Sequence, residues 1–227
     1  GIEQRCGPQR VALHCAMTPL FKCFGDDGGH DDEEAWTRQT PATEDERREA
    51  IEDVKRGLRA EEAMLSMTGR ALGDAFTRTI ATSLLGNTSL RWLQLDRNLL
   101  GDASAEALGH VLRHPSTALQ SLDLDFNRIG DEGAAHIARA LQANSTLRDL
   151  QLQFNCIGHV GARSMAESLT FNEGLRSLSL HGNHVGPAGA ESLAGMLKEN
   201  STLATLSLHS NDIGDEGARS LAAGLSE

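Results

Sequence analysis

Tyrosine is absent from this chain of 227 residues, and two tryptophans and six phenylalanines make up its large aromatic complement. So few π-faces leave no stacking platform for single-stranded nucleic acid. Basic residues are in the minority, 21 against 32 acidic ones, and a net charge of −11 repels phosphate backbones. No run approaches 18 consecutive apolar residues, so no membrane span is expected. Residues 11–24 are mildly apolar, but His14 and Lys22 interrupt them and spoil a secretory signal. Cysteine is scarce: Cys6, Cys15, Cys23 and Cys156 make no dense disulfide framework, and a reduced, cytoplasmic chain is the expectation. There is no phosphate loop, no G-x-S-x-G and no paired acid/base constellation, which predicts a non-enzyme without a cofactor.

Leucine is abundant but uneven, with 3 residues in 1–64 and 29 in 65–227. In the leucine-rich part the pattern L-x-x-L-x-L-x-x-N occurs five times. Its copies run Leu90–Asn98, Leu119–Asn127, Leu147–Asn155, Leu175–Asn183 and Leu203–Asn211, with asparagine-to-asparagine steps of 29, 28, 28 and 28. A degenerate copy precedes them, with Leu65 and Met67 in place but Arg70 where asparagine belongs.

Each L-x-L run alternates and is too short for a helix, so it reads as a strand. A helix follows. Ala134, Ile137, Ala138 and Leu141 fall at i, i+3, i+4 and i+7, and the same places hold Ala162, Met165, Ala166 and Leu169 one repeat later. Asp131 reads as the helix N-cap, with Asp74, Asp102 and Asp215 equivalent and His159 and Pro187 in the other two units. Asn87, Asn144, Asn172 and Asn200 fall past the helix ends, where a left-handed residue is expected.

A strand–helix unit cannot bury its apolar face alone and stacks on its neighbours. The chain resembles the leucine-rich repeat family in its 28–29-residue, ribonuclease-inhibitor-like class over residues 62–227. Phrases such as "NRIGDEGAAHIARALQANSTLRDLQL" are similar to the repeats of NOD-like receptors and of Ran GTPase-activating proteins. The ribonuclease inhibitor itself is cysteine-rich and alternates two unit types, from which this uniform chain departs. The resemblance implies an α/β solenoid in a horseshoe arc, with a parallel sheet on the concave side and helices on the convex side. It also implies that the ladder asparagines bond backbone groups of adjacent turns.

Residues 1–42 carry the run Gly25-Asp26-Asp27-Gly28-Gly29-His30-Asp31-Asp32-Glu33-Glu34 and read as a flexible acidic arm. That run lacks the spacing of an EF-hand loop. Cys6, Cys15, Cys23, His14 and His30 match no zinc knuckle, and the His110–His114 pair lacks a third ligand, so no metal site is expected. "TEDE" at Thr43–Glu46 is a capping box. It opens a helix over 43–61 whose Ile51, Val54 and Leu58 cover the first repeat. The sequons at Asn87, Asn144 and Asn200 share one repeat position and are explained by turn geometry rather than glycosylation.

Strand alternation turns the residues between the leucines outward, in columns about 4.8 Å apart. On that face Trp92, Phe126 and Phe154 are the large aromatic anchors, with Arg97 beside Phe126 and Asp96, Asp123, Asp125 and Asp149 around them. Anchors of this kind concentrate interface energy. Packing of Phe126 and Phe154 under the loop edge is the competing role. Six strands give an arc about 24 Å across, enough to bury roughly 800 Å² per partner. The expected function is a protein-interaction module that takes a basic segment on its concave face. Resemblance to the Ran-activating proteins gives GTPase activation as the alternative. The strand at Leu206–Leu208 has no following polar-faced repeat, which predicts association through that edge or further repeats.

Overall fold

The computed structural model describes residues 12–14 and 40–226. The acidic run at 25–34 and Cys6, Cys15 and Cys23 lie outside the described residues. Helix α1 (Glu44–Arg59) precedes six strand–helix units. These are β2 (Met64–Ser66) and α2 (Gly73–Leu84), β3 (Trp92–Gln94) and α3 (Asp102–Arg113), and β4 (Ser121–Asp123) and α4 (Asp131–Leu141). Then follow β5 (Asp149–Gln151) and α5 (His159–Leu169), β6 (Ser177–Ser179) and α6 (Gly186–Glu199), and β7 (Thr205–Ser207) and α7 (Gly214–Gly224). Strands β2 to β7 pair in parallel and in sequence order, with Leu65, Leu93, Leu122, Leu150, Leu178 and Leu206 in one register row. This is the α/β solenoid of the sequence reading. No described helix is long and apolar enough to cross a membrane.

The alternation is directly visible in burial. Leu93, Leu122, Leu150, Leu178 and Leu206 are buried, while Trp92 is exposed and Asp123, Asp149, Gln151 and Thr205 are half-buried on the other face. The leucines, the helix residues Ala134, Ile137, Ala138 and Leu141, and their equivalents form one continuous core. Helix α1 closes the near end of that core. Thr43 and Glu46 form a reciprocal capping box, Val54 is buried, and Ile51 and Leu58 pack against the cluster.

Two polar ladders tie the units together. Asn127 accepts the amides of Asn98 and Leu100 at 3.0 Å and donates to Leu95 O of the preceding unit. Asn98, Asn155, Asn183 and Asn211 likewise donate to backbone carbonyls of the unit before. A buried amide side chain needs such partners, and the expected backbone role of these asparagines holds.

The aspartates act differently from expectation. Asp131 is the first residue of α4 rather than its cap, and the capping position is held by Gly130, which makes no side-chain cap bond. The Asp131 carboxylate instead reaches forward and accepts the amides of Gly158 (2.7 Å) and Gly161 (2.8 Å), at the N-terminus of α5. Asp102 does the same for Gly130 and Gly133, and Asp74 for Gly101 and Ser104. Each carboxylate satisfies the orphan donors of the next helix and sits at its positive end. A Cβ at Gly161 would lie 2.7 Å from Asp131 Oδ1, which is why glycine stands there.

Asn87, Asn144, Asn172 and Asn200 are not left-handed. They open the strands instead. Asn144 Oδ1 accepts the amides of Thr146 and Leu147, and its Nδ2 donates to Leu112 O. The sequon nitrogens of Asn144 and Asn200 are thus committed to backbone carbonyls.

The far edge of the sheet is also not as expected. Strand β1 (Ala12–His14) pairs in parallel with β7, with Ala12, Leu13 and His14 opposite Thr205, Leu206 and Ser207. The sheet order is β1-β7-β6-β5-β4-β3-β2, so the edge predicted to be bare has a neighbour, contributed by the segment read as an arm. Cys156 is disulfide-bonded, so the expectation of a fully reduced chain is not met there.

Candidate partner-binding face

The residue before each ladder asparagine turns the chain out of the strand with a left-handed backbone. Gly69 and Gly182 fill that place in two units, as the geometry favours. Arg97 (φ 55°), Phe126 (54°), Phe154 (50°) and Ser210 (53°) fill it in the others. A bulky side chain in this region is a conformational outlier. The left-handed turn aims these side chains along the rim of the sheet rather than into the core.

There Arg97, Phe126 and Phe154 form one column. The Arg97 guanidinium lies 4.2 Å above the Phe126 ring. Phe126 stacks on Phe154 with centroids 4.5 Å apart, and Phe154 meets His181 edge-on at 4.5 Å. His181 stacks on His209 at 3.4 Å, with its Nδ1 2.9 Å from His209 O. Both phenylalanines are half-buried, so they pack at the loop edge and contribute to the surface at once. That His181 and His209 continue the phenylalanine stack is not legible from the repeat pattern, because the two sets occupy adjacent repeat positions.

Beside the column the concave face is acidic. The carboxylates of Asp123 and Asp125 feel one another and those of Asp96 and Asp149. Burial, reinforced by Asp123, Asp96 and Asp149, pushes Asp125 up to about 7, against the pull of the Gln153 amide. Asp123 is raised as well, chiefly by burial, although the Asp125 amide and Arg97 oppose the shift. A hydrogen-bonded chain links the units of β4 and β5 on this face. Gln153 donates its amide to Asp125 Oδ1 (2.7 Å) and its Nε2 to Asp125 Oδ2 (2.9 Å) and Gln151 Oε1 (3.2 Å). Gln151 Nε2 donates to Asp149 Oδ1 at 2.7 Å.

Two of the candidate residues stand apart. Asp96 is buried, accepts the Thr68 hydroxyl at 2.7 Å and lies 3.4 Å from Arg97 Nη1, so its charge acts through the field more than by contact. Trp92 lies at the opposite end of its strand from Arg97 and is 45 % exposed. Its register neighbour Met64, from the degenerate repeat, is 49 % exposed, and together they make an apolar spot that the leucine pattern did not reveal. The remaining six residues, Arg97, Asp123, Asp125, Phe126, Asp149 and Phe154, converge on the rim and face of units β3 to β5. His110 and His114 have other partners, Arg113 Nη2 at 2.8 Å from His110 Nδ1 and the Ser116 amide donating to His114.

Stacked strand–helix units with asparagine ladders define a class of repeat solenoid, and comparison with known proteins agrees. The family described as Leucine Rich repeat matches residues 116–138, 143–166, 171–194 and 199–222. The chain is a leucine-rich repeat protein. Among solved structures it is similar to leiomodin-1 actin-binding site 2, with 22% identity over 82% of this chain and 91% of that one and a TM-score of 0.50. It is also similar to the tropomodulin C-terminal domain of Caenorhabditis elegans, with 11% identity, 77% and 90% coverage and a TM-score of 0.50. At these identities the likeness concerns the fold. No curated protein matches the sequence.

Proposed function

We propose that this protein-binding module takes its partner on the concave face and rim of units β3 to β5, and that the partner offers a basic segment. The observation that carries the reading is the grouping of four carboxylates, Asp96, Asp123, Asp125 and Asp149, on this face, where burial first and repulsion from the other three second push Asp125 up to about 7. A site that strains to keep its own negative charge gains most when a cation arrives. The rim column adds the aromatic and arginine anchors in which interface energy concentrates, and exposed Trp92 adds a second apolar contact on the same face. The 28-residue strand–helix period supports placement in the ribonuclease-inhibitor-like class.

The test is fluorescence anisotropy with a synthetic Lys/Arg-rich 12-residue peptide, with an acidic peptide and actin as comparison ligands. Binding of the basic peptide is expected to weaken steeply with salt. Trp92→Ala and Phe154→Ala are expected to cost about 2 kcal/mol each, and Asp123→Asn to slow association. Unchanged affinity in these variants, with loss on the convex-face change Arg139→Ala, would sink the proposal.

A further inference from the structure

The outer edge of β7 repeats the donor pattern of every strand before it. Leu124, Leu152 and Leu180 donate their amides to the next strand, at Gln151 O (3.0 Å), Ser179 O (2.9 Å) and Ser207 O (2.9 Å). By the same periodicity the amides of Leu206 and Leu208 face away from β6. The register sets His14 opposite Ser207 just as Ser207 is set opposite Ser179, so the backbone of Ala12–His14 stands where a seventh repeat strand would stand. In the return direction, Ser121, Ser177 and Thr205 donate to the carbonyls of Arg91 (2.9 Å), Arg148 (2.9 Å) and Arg176 (3.0 Å) of the preceding unit. Ala12 occupies the equivalent place.

We propose that this edge is a docking site for an extended peptide segment, added in parallel as one more strand, and that residues 12–14 are its resident occupant within the same chain. A sheet edge is a template for strand addition, with backbone bonds supplying affinity. The occupant is not part of the repeat array. It belongs to a segment joined to α1, which packs on α2 at the β2 end of the array. The 28 residues between His14 and Thr43 can reach about 90 Å when extended, while seven strands span about 30 Å. The connection is thus long enough to cross the sheet, and the bonds that hold the three-residue strand are to backbone groups that any extended segment carries.

Amide exchange in the full chain tests this. Leu206 and Leu208 are expected to exchange as slowly as Leu178 and Leu180. Ala12→Pro removes the amide that faces β7 and is expected to speed exchange at Leu206 and Leu208 at least tenfold while Leu180 and Leu93 keep their protection. His14→Pro, two residues on and on the same side of the strand, is expected to do the same. A synthetic peptide of residues 8–14, Pro-Gln-Arg-Val-Ala-Leu-His, added to the Ala12→Pro chain is expected to restore slow exchange. Fast exchange at Leu208 in the unaltered chain, no response to either substitution, or failure of the peptide to restore protection each overturns the proposal. None of these readouts involves the concave face, so the result is independent of the partner-binding reading.

Discussion

The Phe154 ring occupies the space in which residue 182 would carry a side chain: a Cβ built on Gly182 lies 2.5 Å from Phe154 Cδ1. Gly182 is also left-handed, with φ 67°. Two constraints, one conformational and one steric, thus coincide at the rim. Gly182→Ala is expected to destabilise the protein by about 1–3 kcal/mol in denaturant titration, as overpacking does. In the Phe154→Ala background the same change is expected to cost less, because only the backbone penalty remains. Equal costs in both backgrounds would mean that the ring yields freely.

The raised carboxyl of Asp125 gives stability a pH dependence of definite sign. Its folded value of about 7 exceeds the ordinary 3.8, so between those limits the folded chain holds a proton that the unfolded chain has released. Stability contributed by that proton is full below about 4 and is lost as pH rises to about 7. Asp125→Asn cannot titrate. Its melting temperature relative to the unaltered chain is expected to rise from pH 5 to pH 8, and a flat difference across that range would contradict the assignment.

Asp131 serves a helix in the next repeat, so removing it is expected to injure a place distant in sequence. Asp131→Ala is expected to cost about 0.5–2 kcal/mol, the range for loss of a cap. Amide exchange identifies where the loss falls: Gly158 and Gly161 are expected to exchange faster, with the start of α4 itself unaffected.

Thr77 is fully buried, and its hydroxyl has no hydrogen-bond partner among the described residues. Thr77→Val keeps the shape and removes the unmet group. It is expected to stabilise the protein by about 1 kcal/mol, measured by urea midpoint at constant m-value. A loss of stability would reveal a partner for the hydroxyl.

The repeat itself was legible in sequence because leucine, asparagine and alanine recur at fixed spacing, and each spacing maps onto one burial pattern. Leu150 and Asn155 needed no coordinates to be placed. Contacts running between repeats were less visible. Asp131 looks like a local cap because its true partners, Gly158 and Gly161, lie 27 and 30 residues away and are small, featureless residues. The left-handed turn at Phe126 and Phe154 was hidden for the opposite reason, since the residue type argues against the conformation adopted. The pairing of Ala12–His14 with β7 has no sequence signature, because backbone hydrogen bonds do not depend on which side chains the strand carries.

The forward-reaching carboxylates also set how the array comes apart. Asp74, Asp102 and Asp131 clasp α3, α4 and α5 in turn, but His159 stands in that place on α5, and Gly189 of α6 donates within its own helix, to Val185 O. The row of clasps therefore stops at α5, and Pro187 leaves α6 with no carboxylate to offer α7, whose Gly217 donates within its own helix to Ile213 O. Under mechanical load pulling the ends of the solenoid apart, these two joints are the least reinforced on the helical side. The last two repeats are therefore expected to give way ahead of the clasped units from α2 to α5, which leave the force trace later as one larger step.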